Sequence, residues 1–250
     1  MSAAHQLDSH QASYTSDFPY YEENRLTHVA YGERVAQLIR QHGIQTALSL
    51  GIGHTEVARR ILGQLNVGPL RRYAIVEGSP AIISAFQASL DPVPKGLELI
   101  EGFFETFAYP QRVELIEAGF VLEHVDDPTL VLTRMRDLLI PGGRIIIAVP
   151  NARSLHRVLG HTAGLLADIY ALSPADLALG HQRYFDLASL VELVGTCGFS
   201  VVRAEGMLLK PFTTAQLRSL NLAPVIWDAL MEVARAYPDI SHAIYLEAQT

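Results

Sequence analysis

The sequence predicts an α/β protein with a parallel β-sheet that helices cover on both faces. Short apolar segments alternate with helix-like segments from residue 44 onward, and this alternation is typical of parallel sheets. The first apolar segment runs into Gly51 and Gly53 and then into a helix, a junction where a backbone can closely approach an anionic ligand. The chain of 250 residues can bury the core of one large domain. Right-handed crossovers place the carboxyl ends of the strands at one edge, where ligands bind.

Residues 1–43 predict an N-terminal arm and a cap helix over the active site. The first 16 residues are polar and contain one large aromatic residue, Tyr14. Apolar residues then recur at spacings of three and four up to Gly43, which is suited to a left-handed helix end. We therefore expect a helix that packs on the main domain.

Residues 44–250 predict the main domain, in which strands and helices alternate. Two stretches, at about 151–185 and 211–240, are longer than a compact sheet needs and are expected to form lid insertions. The first stretch includes a predicted helix over 156–171, and Pro141–Gly143 predict a turn before the fifth strand. The predicted strands are 44–50, 72–77, 97–101, 113–118, 144–149, 199–205 and 242–248, and the predicted helices are 55–65, 80–90, 128–139, 187–197 and most of 213–237.

Composition and charge restrict the function classes. The 19 Lys and Arg residues against 26 Asp and Glu residues give a net charge of −7. A nucleic acid bound through its phosphates is therefore disfavoured. The single cysteine, Cys197, excludes an internal disulfide and a cysteine-rich zinc site. We see no cleavable leader and no long apolar run, so we expect a cytoplasmic protein with no membrane partner.

The Gly51–Gly53 turn is followed by an acid, Glu77, at the end of the next predicted strand. A carboxylate at that place can accept hydrogen bonds from both hydroxyls of a ribose. The third glycine of a pyrophosphate-binding turn is replaced by Glu56. A nicotinamide or flavin dinucleotide is thus less favoured than a nucleoside without phosphates, and the alternative that the glycines merely end a strand stays open.

A pair of aromatic residues, Phe103 and Phe104, follows Gly102 at the end of the third predicted strand. An aromatic ring at the edge of the sheet can stack on a flat heterocycle. Both rings can equally belong to the core, and the sequence does not separate these two possibilities.

The segment Val-Leu-Glu-His-Val-Asp-Asp-Pro, at residues 121–128, is followed by a helix and by Leu-Ile-Pro-Gly-Gly-Arg-Ile-Ile-Ile-Ala-Val-Pro-Asn at 139–151. This arrangement resembles the class I S-adenosylmethionine-dependent methyltransferases that act on small molecules. Residues 50–53 are similar to that family's first motif, Glu77 to its ribose-binding acid, and Gly102 and Phe103 to its adenine region. His181-Gln-Arg-Tyr-Phe185 resembles a further signature, so the similarity covers about residues 44–205.

The resemblance implies a Rossmann-like, seven-stranded mixed sheet whose last two strands are antiparallel. It also implies that S-adenosylmethionine is the cofactor and S-adenosylhomocysteine the product. Two residues depart from the family pattern. Ser49 stands where an acid is usual, and Thr55 stands where a third small residue, often glycine, is usual. Glu56, Tyr14 or a backbone carbonyl would then have to receive the methionine ammonium. The cofactor-binding residues that the resemblance implies are Tyr14, Ser49, Gly51, Gly53, Glu77, Gly78, Gly102, Phe103, Phe104, Gly119 and Phe120.

The expected reaction is in-line transfer of a methyl group to an oxygen or nitrogen atom of a small molecule. His181 and His124 are the candidate catalytic bases, because histidine titrates near neutrality and both flank predicted strand ends. Both histidines can also be structural. No metal ligands are predicted, and the sequence leaves the oligomeric state open. The candidate substrate-binding residues are Tyr20, Tyr21, His156, Arg183 and Lys210.

Two alternatives stay open at this point. One is a nucleotide-dependent oxidoreductase, which the missing third glycine disfavours. The other is a non-catalytic relative that binds the cofactor without chemistry, which Ser49 and the lack of a certain base would explain.

Overall fold

The computed structural model describes the backbone of residues 21–250 and the side chains from Glu23 onward. Tyr14, Tyr20 and the side chain of Tyr21 lie outside the described residues. Within the described part, seven strands alternate with nine helices. The strands are β1 (Thr46–Leu50), β2 (Arg72–Glu77), β3 (Leu97–Glu101), β4 (Val113–Gly119), β5 (Leu139–Pro150), β6 (Ser200–Met207) and β7 (Ala243–Gln249). The helices are α1 (Tyr21–His42), α2 (Thr55–Leu62), α3 (Pro80–Ala88), α4 (Pro128–Leu138), α5 (Leu155–Thr162), α6 (Pro174–Ala178), α7 (Leu187–Thr196), α8 (Thr214–Ser219) and α9 (Pro224–Ala234).

The seven strands form one sheet in the order β3-β2-β1-β4-β5-β7-β6. The first five strands pair in parallel, and β7 lies antiparallel between β5 and β6. The order reverses between β1 and β4, and a reversal of this kind opens a crevice beyond the carboxyl ends of these strands. The predicted seven-stranded mixed sheet is therefore confirmed.

The core lies on both faces of the sheet because successive side chains of a buried strand point to opposite faces. On β4, Leu115 packs in a cluster with residues of α1 and α2, and Ile116 packs in a second cluster with residues of α4 and α7. The two clusters explain why the central strands are apolar along their whole length. A polar residue inside such a strand, such as Glu117, is therefore unusual.

Helix α1 packs closely against α2. A side chain at Gly32 would place its Cβ 2.9 Å from Arg60 Cδ and 3.2 Å from Val57 Cα, so a larger residue would force Arg60 and α2 to shift. The preceding residue, Tyr31, is fully buried against the sheet. Among residues 21–250, no helix combines the length and apolar character needed to cross a bilayer.

The structure differs from the predicted elements in the lid regions. The helix predicted over 156–171 is wrong beyond Thr162, because Gly164 adopts a φ of +73° that ends the helix. The helix predicted over 213–237 is divided into α8 and α9, with Asn221 at a φ of +46° between them. The residues Pro141–Gly143, predicted as a turn, lie inside β5, where the pairing with β4 is irregular.

Candidate functional site

A cavity of about 850 Å³ lies at the carboxyl ends of the parallel strands. Its wall includes the residues that follow β1, β2, β4 and β5, together with one side of α1 and the segment around His181. This volume is in the range of small-molecule and cofactor sites. The position is the one that the strand order predicts for a ligand.

The turn after β1 forms one end of the cavity. Gly51 and Gly53 adopt φ values of +83° and +45°, a region that residues with a Cβ rarely occupy. The Gly51 N–H donates to the Val76 carbonyl at 2.7 Å, which ties the turn to β2. The backbone of both glycines lines the cavity just before α2 begins.

Glu77 connects this turn to the end of β2. One carboxylate oxygen accepts the Ile52 N–H at 3.0 Å, and the other accepts the Ser79 N–H at 2.9 Å. The side chain is only 8% exposed and lines the cavity. Each carboxylate oxygen can accept a second hydrogen bond. The residue therefore fits the demands of a ribose, because its carboxylate is fixed by the backbone and still has acceptor capacity for two hydroxyls.

The predicted aromatic pair lies beside the same turn. Phe103 is 39% exposed and lines the cavity, and Phe104 lines it while packing partly into the core. A Cβ at Gly51 would lie 3.7 Å from the Phe104 ring, so the ring sits directly against the glycine turn. A Cβ at Gly102 would approach Phe107 to 2.9 Å. Phe103 is therefore the more exposed of the two rings, and Phe104 lies between the glycine turn and the core.

Ser49 lies behind the cavity wall rather than in it. Its hydroxyl is buried and hydrogen-bonds with the Tyr73 hydroxyl at 2.8 Å. Directly across the strand pairing from Ser49 stands Glu117 on β4. Glu117 is 4% exposed, lines the cavity and accepts the Gly119 N–H at 2.7 Å. An acid is therefore present beside Ser49, on the neighbouring strand.

Burial raises the pKa of Glu117 to about 7, although hydrogen bonds from Ser49, the Gly119 N–H and Tyr31 act in the opposite direction. The sequence analysis missed Glu117. The signal was present, because Glu117 interrupts the apolar run toward the carboxyl end of β4 while the usual acid of β1 is a serine.

Gly119 and Phe120 follow β4 and line the cavity. A Cβ at Gly119 would lie 2.2 Å from Tyr31 Cε1, so only glycine fits below α1 at this point. The Phe120 ring lies 4.4 Å from the His28 ring, which in turn lies 4.4 Å from the His54 ring. Burial lowers the pKa of His28 to about 3 and that of His54 to about 4, so both imidazoles are neutral at pH 7. This end of the cavity combines neutral rings with the carboxyl group of Glu117.

The opposite end of the cavity is built from two loops, residues 121–126 and 180–183. Gln182 joins them, since its N–H donates to the Glu123 carbonyl and its side-chain amide donates to the His124 carbonyl, both at 2.8 Å. Arg183 donates to the carbonyls of Leu122 at 3.1 Å and Asp126 at 3.2 Å, and also to that of Val125. We call these contacts of Gln182 and Arg183 the loop clamp. Arg183, a predicted substrate-binding residue, lies outside the cavity wall.

The loop clamp brings the predicted catalytic pair together. The rings of His124 and His181 line the cavity with their centroids 4.7 Å apart, edge to face. Glu123, which precedes His124 in the chain, also lines the cavity and is 1% exposed. Neither of its carboxylate oxygens has a hydrogen-bond partner among the described residues. Burial raises the pKa of Glu123 to about 8, although its own backbone N–H and the charge of Arg183 act in the opposite direction.

The two remaining predicted substrate-binding residues, His156 and Lys210, line the cavity beside Glu23 of α1. The Lys210 ammonium lies 2.7 Å from Glu23 Oε1, and His242 Nε2 lies 2.9 Å from the same atom. Burial would raise the pKa of Glu23, but these two partners hold it far below its usual range. The charge of Lys210 is therefore matched by a protein carboxylate, and His156 is kept neutral by burial, which lowers its pKa.

A family model described as a methyltransferase domain matches residues 30–204. The mitochondrial ubiquinone biosynthesis O-methyltransferase of Schizosaccharomyces pombe is 34% identical over 87 residues, which span 34% of this chain and 32% of that protein. The match thus extends over about a third of either sequence.

Solved structures share the whole architecture. An S-adenosylmethionine-dependent methyltransferase from Mesorhizobium loti superposes with a TM-score of 0.62 at 15% identity, over 89% of this chain and 98% of that one. The magnesium protoporphyrin IX methyltransferase of Synechocystis PCC 6803, solved with bound S-adenosylhomocysteine, gives a TM-score of 0.62 at 14% identity, over 98% of this chain and 94% of that one. At these identities the similarity establishes the fold.

Proposed function

The chain belongs to the methyltransferase-domain family, and we propose that it moves a methyl group from S-adenosylmethionine to an oxygen or nitrogen atom of a small-molecule acceptor. The observation that carries the proposal is the pairing of the Gly51–Gly53 turn with Glu77, whose carboxylate is held by an N–H of that same turn. Both open into a cavity that continues to His124 and His181. The cavity therefore has one end suited to a nucleoside and another end available to an acceptor.

The cofactor supplies a methyl group already activated by a positively charged sulfur. Glu77 would accept hydrogen bonds from the ribose hydroxyls, and Phe103 would cover one face of the adenine. Gly78, Gly102 and Phe104 complete this part of the proposed site. The close approach of backbone at Gly51 and Gly53 would leave the N–H groups before α2 for the methionine carboxylate.

Glu117 is our proposed partner for the methionine ammonium. Ser49 has no charge to offer and is hydrogen-bonded behind the wall, whereas the Glu117 carboxyl lies beside it and lines the cavity. A cation next to this carboxyl would favour its ionised form and offset part of its burial cost. The acid of this site would then belong to β4 instead of β1.

His124 and His181 remain our proposed catalytic residues, since both line the end of the cavity away from the ribose-binding acid. His156 is proposed to contact the acceptor. Lys210 is proposed to fix the cavity wall through Glu23 and to present its side chain to the acceptor. Alignment of the acceptor atom with the methyl group and exclusion of water are worth several kcal/mol in reactions of this kind, on the order of 7 or more in favourable cases.

The name of the Schizosaccharomyces pombe relative, an O-methyltransferase, supports oxygen as the acceptor atom. Two observations disfavour the oxidoreductase alternative. The family model is that of a methyltransferase domain, and the turn lacks the third glycine of a pyrophosphate site. The non-catalytic alternative loses part of its motivation, because Glu117 provides an acid where Ser49 does not.

The proposal is tested by calorimetric titration with S-adenosylhomocysteine, followed by incubation of the protein with methyl-labelled cofactor and a small-molecule extract. We expect binding at micromolar concentration and label transfer to an extractable compound. Absence of binding at millimolar concentration would overturn the proposal. Binding without any labelled product over a broad set of extracts would instead support the non-catalytic relative.

A further inference from the structure

We infer that Glu123, His124 and His181 form a binding site for a divalent transition-metal cation of the zinc type at the acceptor end of the cavity. One ligand atom from each residue lies within 4.8 Å of the other two, although the residues come from two separate loops. Two imidazoles and one carboxylate are a donor set of catalytic zinc and non-haem iron sites, whereas magnesium and calcium prefer oxygen ligands alone.

The carboxylate of Glu123 is the first evidence for a ligand. Both of its oxygens are buried and lack a hydrogen-bond partner among the described residues, although the residue lines the cavity. A buried carboxyl group without partners is unfavourable by roughly 1–3 kcal/mol even when it is protonated, so native proteins usually pair it or use it to hold a metal. Arg183 lies nearby, but its guanidinium donates to the backbone carbonyls of Leu122 and Asp126 and to the side-chain oxygen of Gln182. A cation would satisfy the carboxylate that the protein leaves unsatisfied.

The second evidence is the rigidity of the ligand loops. The loop clamp fixes the backbone of Glu123 and His124 against residues 182 and 183. His181 is fixed from its other side, since its N–H donates to the Asp176 carbonyl at 2.9 Å. Preorganised ligands lose little conformational freedom when a cation binds.

The third evidence is the buried ring nitrogen of His181. Asp176 Oδ1 lies 3.6 Å from His181 Nδ1, and the Tyr184 hydroxyl donates to this same Asp176 oxygen at 3.0 Å. The 3.6 Å separation is too long for a hydrogen bond, and the buried Nδ1 atom has no hydrogen-bond partner among the described residues. A cation can supply the partner that this ring nitrogen lacks.

The cation gives the proposed function a substrate class, and this part of the inference rests on that function. Three protein ligands leave at least one coordination position, and the cavity gives an acceptor access to it. A metal lowers the pKa of a bound hydroxyl group. His124 and His181 would hold the cation and would not act as bases, so the hydroxyl proton would pass to water at the cavity mouth. The electron pair left on oxygen would form the bond to the methyl carbon while the C–S pair stays on sulfur. A hydroxyl acceptor is therefore favoured over a protonated amine, which cannot bind the cation.

Cobalt(II) is a suitable probe, because its visible absorption reports the coordination of the ion. Chelator-treated protein is titrated with cobalt(II) in the absence of cofactor, and we expect visible bands that saturate at one equivalent. Glu123→Gln and His181→Gln should each weaken binding by more than about tenfold. His42→Gln changes an exposed histidine at the end of α1 and should leave binding unchanged. Far-ultraviolet circular dichroism confirms that each variant is folded.

Absence of saturable cobalt(II) binding to the wild-type protein would overturn the inference. Equal binding by the wild-type protein and the two folded ligand variants would also overturn it. S-adenosylhomocysteine titration of the same metal-free samples separates the two proposals. Cobalt(II) binding without cofactor binding would leave the metal site standing and reject the methyl transfer, and the reverse result would reject the metal site alone.

Discussion

Glu77 and Glu123 are two buried carboxylates at opposite ends of one cavity, and their surroundings are opposite. Each oxygen of Glu77 accepts a backbone N–H, whereas neither oxygen of Glu123 has a partner among the described residues. The first is complete without a ligand and is ready to receive one. The second is incomplete without a ligand. Under the proposed function, the fold alone prepares the end that receives the cofactor, and the end that receives the acceptor depends on what binds there.

The largest expected effect tests a third buried carboxylate, Glu23, whose charge is matched by Lys210 and His242. Lys210→Met removes one partner and leaves Glu23 under-compensated, so the free energy of unfolding should fall by about 3 kcal/mol. Urea denaturation measures the change. Lys95→Met removes an exposed lysine and should change the stability by less than about 0.5 kcal/mol. If both variants changed the free energy of unfolding equally, the ion pair between Lys210 and Glu23 would contribute nothing to stability.

The next effect concerns the cofactor end. Glu77→Ala should weaken the binding of S-adenosylhomocysteine by about 30-fold, which is about 2 kcal/mol, because hydrogen bonds from the ribose to a charged acceptor are lost. Calorimetry measures the affinity. Glu101→Ala is a matched control, since Glu101 pairs with Glu77 in the sheet register but is exposed and lies outside the cavity wall. A folded Glu77→Ala protein with unchanged affinity would remove Glu77 from the site.

Glu117 should make cofactor affinity depend on pH. Its pKa is raised to about 7, so it gains its charge as the pH rises from 6 to 8, and S-adenosylhomocysteine should bind up to about tenfold more tightly at pH 8. The groups that face Glu117 are Tyr31, Ser49 and Tyr73. Burial raises the pKa of both tyrosines, so none of these groups titrates in this range.

The same ionisation should act oppositely on the free protein. A carboxyl group with a raised pKa contributes stability that is present below its unfolded pKa and is lost as the pH rises through about 7. The free energy of unfolding should therefore decline between pH 6 and pH 8 by more in the wild-type protein than in Glu117→Gln. If the wild-type protein bound S-adenosylhomocysteine with the same affinity at pH 6 and pH 8, and with the same affinity as Glu117→Gln, the methionine ammonium would be bound elsewhere.

The smallest expected effect is at Glu123. Replacement by methionine removes a carboxylate without partners, so the metal-free protein should gain about 1 kcal/mol of stability. Thermal unfolding in the presence of chelator measures the change. A loss of stability instead would show that Glu123 has a structural partner, and the contrast with Glu77 would then disappear.

The sequence was sufficient for the fold because alternation of strand and helix determines a parallel sheet. It also located Glu77, since the end of a strand places a residue at the edge of the sheet. It did not locate Glu117 as a substitute for the acid that is missing at Ser49. That inference requires the register between β1 and β4, which places the two residues side by side. The sequence named Arg183 as a substrate-binding candidate, but it did not reveal the loop-clamp contacts of Arg183 or the burial of Glu123. Both depend on segments that lie far apart along the chain. The helix over 156–171 was wrong because periodicity does not reveal that Gly164 turns the backbone away.

The segment between α5 and the loop clamp is fixed at both of its ends. The Arg157 guanidinium donates to the carbonyls of Ile169 at 2.8 Å and Ala171 at 2.6 Å, and the loop clamp holds the chain again at residues 182 and 183. Neither anchor involves the strands that carry the cofactor end. Apart from Asp176 and His181, the intervening residues can therefore be exchanged for longer or shorter ones while the sheet stays intact, and we expect new acceptors to be acquired by altering this one module.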